Sequence, residues 1–413
     1  MGPQPQGGTS SGVVRGDVVA LTTALVACDS QNPGPGEAAV VDLILDRVAR
    51  PAGFEATRVE AYPGRPNLLL TVDRGPGPHL VLSGHVDTKP VGDALGRWSH
   101  PPLELTVVDG MAYGLGSSDM KGPVAAMLLA LEAFARTPGR GRASVLLTAD
   151  EETTSAAGAV ALAARGVPQC DAIVIGEPSG VTRAWESIAV VSRGIACFEI
   201  HVTARQGHSG LSASLGRNAI QLAAEVVLAF DGWAPPVARP GPVPCEPTVN
   251  PGMTVSGGVA FGTWPGAAVV GCEIRLVPGM DRAGVMSSVE ELARRTVGDR
   301  GQVEVRPVAD SRAWAPAVAT DPSARVVRVA QEACAAVLGA APALGAYPGT
   351  TEATHFAPAL EVPVVASLGP GWLSVAHGPD ECVAVADLEH AVAIYARMLA
   401  SFCSEDTATA PQS

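Results

Sequence analysis

Four apolar stretches of this sequence run straight into side chains that bind divalent cations. LVLSG leads to His85 with Asp87 two places on, SVLLTAD to Glu151 and Glu152, AIVIG to Glu177, and PVVASLGPGWLSVA to His377. Asp119 lies between the first two, in the glycine-flanked turn GSSDMKG. Imidazole nitrogen and carboxylate oxygen are donors that zinc takes, and three carboxylates with two imidazoles suit two zinc ions sharing one carboxylate. Two such cations about 3.5–4 Å apart lower the pKa of bound water and clamp both oxygens of a tetrahedral intermediate, which is hydrolytic chemistry. Adjacent Glu151 and Glu152 repel in a cleft unless a cation or a shared proton relieves them. A metal hydrolase uses both outcomes: one carboxylate ligates and its neighbour takes a proton from water.

Each residue alone has a blander reading. The glutamate pair could be a solvated acidic loop or a helix N-terminus that prefers negative charge. A histidine with an aspartate two residues on is common by chance. Asp119 could simply cap a helix over 121–136. The number and order of these residues favour the metal centre.

Such a centre needs elements to assemble it. A short buried strand delivers whatever follows it to the carboxyl edge of its sheet, where open α/β folds place their sites. From residue 14 to about 185, helical segments (16–28, 37–50, 121–136, 155–165) alternate with strands (67–72, 79–84, 144–149, 172–176), which predicts a largely parallel sheet with helices on its faces. Helices at 322–339 and 386–403, with a strand at 363–368 between them, extend the same unit. The middle reads strand 195–204, helix 216–230, strands 253–259 and 267–277, helix 282–297 and strand 302–308, with a Pro-rich loop at 234–247. That β-α-β-β-α-β order is the split-βαβ plan of a ferredoxin-like unit. The fold class is therefore α/β: a discontinuous catalytic domain (14–189 and 309–405) with a mostly parallel mixed sheet, interrupted by an α+β lid at 190–308. Residues 1–13 and 406–413 read as flexible tails.

Composition narrows the partners. At 413 residues the chain is long enough for two cores. A net charge of −13, with lysine only at Lys89 and Lys121, argues against nucleic acid or an anionic membrane. Eight cysteines without a C-x-x-C pair suit buried thiols in a reducing cytoplasm rather than a disulfide frame. VVALTTALVAC resembles a lipoprotein leader, but Asp17 precedes it and Arg15 is the one basic residue before it. Its apolar spacing suits a packed first helix instead.

SGHVDTKP, YGLGSSDMKG, TADEET, IGEPSG and SVAHGPDE, in this order and spacing, resemble the acetylornithine deacetylase / succinyl-diaminopimelate desuccinylase / aminoacylase-1 family of metallopeptidases. LVACDSQNPGPGE and GRNAI extend the likeness over nearly the whole chain. The resemblance implies two Zn2+ (Co2+ as a substitute), with Asp119 bridging, His85 and Glu177 on one ion, and Glu152 and His377 on the other. It makes Glu151 the general base and then acid, and has Asp87 orient His85. It implies a lid that dimerises, with His208 reaching the partner subunit's site to polarise the scissile carbonyl. It has Arg275 hold a substrate carboxylate, and Asn218, Thr351 and Glu352 lie near the substrate. PGTTEATHF and SLGPGWLSVAHGPDE are most similar to the acetylornithine deacetylase branch. Leu115 stands where arginine is usual and Cys382 where an aromatic is usual, which bears on acyl or amine specificity.

The expected activity is hydrolysis of an N-acyl amino acid by a zinc-bridging hydroxide. Alternatives are a di- or carboxypeptidase, a deprotecting deacylase in a specialised pathway, or a catalytically idle binding member.

Overall fold

The computed structural model describes residues 17–404; the segments 1–13 and 406–413 lie outside the described residues. Apart from the first, the strands of the first half are apolar runs whose alternate side chains find a core on both faces. In chain order they are β1 (Glu55–Tyr62), β2 (Arg65–Asp73), β3 (His79–His85), β4 (Arg142–Thr148) and β5 (Ala172–Ile175). The middle contributes β6 (Gly194–Thr203), β7 (Thr248–Gly257), β8 (Ala267–Leu276) and β9 (Gln302–Pro307), and β10 (Val364–Val365) follows. The helices used below are α1 (Asp17–Val26), α2 (Lys121–Arg136), α3 (Ala219–Ala229), α4 (Arg282–Val297), α5 (Arg325–Leu338), α6 (Ala353–Leu360) and α7 (Val385–Ser404).

The main sheet has the order β1-β2-β4-β3-β5-β10. Pairs β4-β3, β3-β5 and β5-β10 are parallel, whereas β1-β2 and β2-β4 are antiparallel. Strand β3 is buried at every position. Leu80 and Leu82 face the core under α1, α2, α5 and α7, while Val81 joins Ile173, Leu146 and Phe356 of α6 on the opposite face. Truncating a leucine packed like Leu82 costs about 2–5 kcal/mol. The hairpin partner β1 does not read as a strand in the sequence: EATRVEAY is polar and almost wholly exposed, the make-up of a protected sheet edge.

The inserted sheet is antiparallel throughout, in the order β7-β8-β6-β9. Its buried face alternates along β6 (Ala196, Phe198, Ile200, Val202) and β8 (Ala268, Val270, Cys272, Ile274), and packs on Leu222 and Val226 of α3 and Val285 and Val289 of α4. The strand expected at 253–259 begins five residues earlier, at Thr248, and carries a register shift between Asn250 and Thr254. A mixed α/β sheet plus an inserted α+β unit is thus the observed architecture. No helix among the described residues is long and apolar enough to cross a membrane.

Candidate metal centre

Three neighbouring strands end level. His85 pairs with Thr148 across β3-β4, and Ser83 with Ile175 across β3-β5. The residues that follow, Glu151, Glu152 and Glu177, therefore share one edge with His85. Asp119 comes from the turn before α2, where Met120 occupies the cap position without a side-chain cap bond. The capping role open to Asp119 is not taken up. His377 is not delivered by a strand of the main sheet: beyond β10 the chain runs through Gly369–Trp372 and a turn before reaching it. It sits there with φ 60° and a side chain 47% exposed, against 1% for His85.

The donor atoms meet closely. His85 Nε2 lies 3.0 Å from Asp119 Oδ1 and 3.6 Å from Glu177 Oε1. His377 Nε2 lies 3.2 Å from Asp119 Oδ2 and 3.2 Å from Glu152 Oε2. Two donors bound to one tetrahedral zinc at about 2.0–2.1 Å stand about 3.3 Å apart, so both triads have the spacing of a shared ion. Asp119 turns one oxygen to each triad. Glu152 Oε1 is buried with no hydrogen-bond partner among the described residues, a state that costs free energy unless a cation meets it. The donor set and its spacing fit two divalent cations.

Charge in the cluster is uncompensated without them. Burial, and then Asp119 nearby, push the Glu177 carboxyl up to about 8. Burial also raises Glu151 well above the usual carboxylate range, with Glu177, Glu152 and Glu352 adding to the shift. Burial alone would raise Asp119, but hydrogen bonds from His377 and His85 hold it well below the usual range. Burial works against the charged form of His377, yet Asp119 and Glu152 raise it to about 10.

Other side chains hold these donors in place. Asp87 does not orient His85 through its carboxylate: the ring Nδ1 is 3.0 Å from the Asp87 backbone oxygen and 3.6 Å from Oδ1. The carboxylate instead accepts the Glu151 and Glu152 amides at 3.2 and 3.1 Å and the Asn32 amide at 2.8 Å. It pins the glutamate turn to the strand carrying His85. Glu381 does the same for the aspartate turn, accepting the amides of Gly116, Ser118 and Asp119 at 2.9 Å each. The Tyr347 hydroxyl donates to Glu177 at 3.0 Å, and Lys89 Nζ lies 3.2 Å from Glu152 Oε2. Sequence reasoning missed Lys89, Tyr347 and Glu381 as site residues. Lys89 sits two residues beyond Asp87 and Glu381 four beyond His377, and closeness to a ligand was the signal to follow.

The cluster floors a cleft of about 570 Å³, with Arg275, Thr350 and Thr351 in its wall. Arg275 bonds Glu273 at 2.8 Å and Thr350 at 3.2 Å. Three other candidates lie elsewhere in a single chain. Glu352 is buried behind the cleft and accepts from Thr148 at 2.9 Å, so it supports the wall rather than lining it. Asn218 forms a capping box with Gln221 at the start of α3; its side-chain oxygen is committed to the backbone and does not face the cleft. His208 is exposed, with Nδ1 accepting from Gly210 at 3.0 Å, and does not line its own chain's cleft.

Metal-type donors at the carboxyl edge of a mixed α/β sheet, with an inserted α+β unit supplying one wall, define a metal-dependent hydrolase. The chain belongs to peptidase family M20/M25/M40, whose family model matches residues 81–401. Succinyl-diaminopimelate desuccinylase of Methylobacterium radiotolerans is 32% identical over 398 residues, covering 92% of this chain and 96% of that protein. Similarity extends to the M20 family metallo-carboxypeptidase Sso-CP2 of Sulfolobus solfataricus, with TM-score 0.75 and 18% identity over 94% of this chain and 99% of the other. It also extends to the Bacillus subtilis YXEP protein, a dinuclear metal binding peptidase of the M20 family, with TM-score 0.67 and 16% identity over 94% and 99% of the two chains. The desuccinylase lies within the group that the sequence motifs resemble, and carries the name of a different branch from acetylornithine deacetylase.

Proposed function

We propose that this chain hydrolyses the amide bond of N-acyl amino acids. One observation carries the reading: five donors from separate segments each come within 3.6 Å of another, beside Glu151, in a cleft that Arg275 also lines. His85, Asp119 and Glu177 would hold one zinc ion, and Asp119, Glu152 and His377 the other, with Asp119 shared. When bound, such a pair supplies Lewis acidity and makes water a nucleophile near neutral pH.

Within this reading the residues divide the work. Arg275 binds the carboxylate of the amino-acid part and so sets which carbonyl lies over the cluster. Glu151 takes a proton from the attacking water and passes it to the leaving nitrogen. Lys89 and Tyr347 steady Glu152 and Glu177.

The same reading makes residues 190–308 a lid and the protein a homodimer in the cytoplasm. Strand β7 is an edge of its sheet and exposes Met253 and Val255; Phe261 beyond it and Leu228 of α3 are also exposed. Pairing of two such edges would cover them and bring His208 to the partner's cleft. Light scattering of the purified protein should report a dimer, and a monomer at micromolar concentration would refute this arrangement.

A panel of acetyl, succinyl, formyl and aminoacyl amides of one amino acid, read by mass spectrometry, tests the activity. Release of the amino acid from acyl derivatives supports the proposal. Cleavage of peptides with no turnover of acyl derivatives replaces it with the peptidase reading.

A further inference from the structure

The Glu151 carboxylate has no anchor of its own. Among the described residues it makes no hydrogen bond or ion pair, although one of its oxygens lies within 4.8 Å of donor atoms of both His85 and Glu177. A base that must meet a water at hydrogen-bond distance needs a fixed direction. That direction is left to the backbone on either side of Glu151, and this backbone is held from behind.

Two buried aspartates do the holding. Asp87 accepts the amides of Glu151 and Glu152 at 3.2 and 3.1 Å. Asp150, the residue before Glu151, stands at φ 67°, in the left-handed region, where a residue with a Cβ persists only if its surroundings fix it. Its carboxylate supplies the fixing. Oδ1 accepts from the Thr153 hydroxyl and, at 3.2 Å, from Asn32. Oδ2 accepts from the Thr154 hydroxyl at 3.0 Å and the Ala157 amide at 3.2 Å.

A single amide joins the two aspartates. Asn32, itself buried, donates from Nδ2 to Asp87 Oδ2 at 2.8 Å and to Asp150 Oδ1 at 3.2 Å. Two buried carboxylates drawn onto one donor repel each other, and a neutral amide does not cancel their charge. Arg65, the first residue of β2, brings a cation to the pair: its Nη1 lies 3.2 Å from Asp150 Oδ1. The same guanidinium donates Nε to Glu37 Oε1 at 2.9 Å, and its Nη2 bonds that oxygen too. Glu37 is fully buried at the start of the helix Glu37–Ile44, so the guanidinium plane is set by one buried acid before it meets the other. The chain of contacts Glu37–Arg65–Asp150–Asn32–Asp87 thus runs from a helix end, through β2, to both flanks of Glu151. None of these five side chains lines the cleft.

We propose that Arg65 and Asn32 are positioning residues for Glu151: acting through Asp150 and Asp87, they fix the direction of the general base from outside the cleft. This rests on the role given to Glu151 in the proposed function. Misplacing a reacting group by about 1 Å lowers the rate on the order of 100-fold. Substrate affinity is set inside the cleft and is left alone.

The test measures kcat, KM and metal content on the best-cleaved member of the amide panel. R65M and N32A should each lower kcat by roughly 10–100-fold, with KM within about twofold of the wild type and metal content unchanged. R65K should recover part of the loss, because lysine keeps a charge beside Asp150 but cannot bridge it to Glu37 in one plane. In the E151Q background R65M should add little further loss, since the base it positions is already gone. Unchanged kcat in both single variants would overturn the proposal, as would a loss carried by KM or by metal content. So would losses that multiply in R65M/E151Q, which mark a general structural role. Should R65M fail to fold, N32A, R65K and N32A/E151Q carry the same comparison. If no amide of the panel is cleaved, the proposed function falls and this inference with it; if E151Q keeps the wild-type rate, the base assignment falls first. A wild type that cleaves and an E151Q variant that does not leave the positioning role alone at stake.

Discussion

The edge of the main sheet and the inserted sheet handle charge in opposite ways. In the inserted unit many charged side chains pair with a near neighbour of the same unit: Arg275 with Glu273, Arg306 with Glu304, His201 with Glu199, and Arg300 and Arg217 with Glu225. At the edge of the main sheet Asp119, Glu151, Glu152 and Glu177 crowd around two imidazoles, with Lys89 touching the group from one side. These pairs form within the inserted unit itself as it folds. The sheet edge is not balanced in this way, and its stability is tied to protons or cations from solution. A binding wall can be self-contained, whereas a metal centre has to be built as a deficit.

The largest effect should come from removing the cations. Chelation should abolish turnover, and added zinc or cobalt should restore it; activity that survives exhaustive chelation would end the contrast drawn here. Nearly as large is Glu151→Gln. This glutamate acts on protons, so turnover should fall by about 10²–10⁴-fold while metal content, read by elemental analysis, stays near that of the wild type. Loss of metal in E151Q would make Glu151 a ligand.

His208→Ala should lower kcat by about 10²–10³-fold if the partner's histidine completes the site. Mixing H208A with E151Q should then restore part of the activity, since each chain contributes what the other lacks. No recovery in mixed dimers would confine the reaction to one chain.

Stability should depend on pH with a sign that distinguishes the two forms. His377 rises to about 10 in the metal-free fold, and Glu177 rises to about 8. Both bind protons more tightly folded than unfolded, so their contribution is complete at low pH and lost as pH climbs through those values. The metal-free melting temperature should fall between about pH 5 and 10. Cations replace those protons, so the metal-induced gain in melting temperature should grow over the same range. The smallest effect belongs to the inserted unit: Asn218→Ala removes a helix cap and should cost about 1 kcal/mol of stability with KM unchanged. A change in KM would return Asn218 to the substrate.

How far the centre could be read in advance depended on the residue. His85 and Glu177 were legible because a buried apolar run ends at each, and β3 and β5 are such runs. His377 was legible as a donor but not in its setting, because a second short strand and a turn separate it from β10. The Asp87 carboxylate was expected on His85 and is found on the Glu151 and Glu152 amides, a choice made by loop geometry that spacing does not encode. Strand β1 escaped because a polar edge strand lacks the alternation that betrays a half-buried one.

What the linear order of residues determined here is the kind of chemistry: imidazoles and carboxylates at the ends of buried runs, and an α+β insertion between them. Periodicity and residue type are local properties, so they survive in one dimension. Only the tertiary structure decided that Asp119 divides its two oxygens between His85 and His377, and that Ile195 sits between Arg275 and Ala315. Those facts depend on which strands become neighbours and in what register, and that is set by long-range pairing and packing of the whole core.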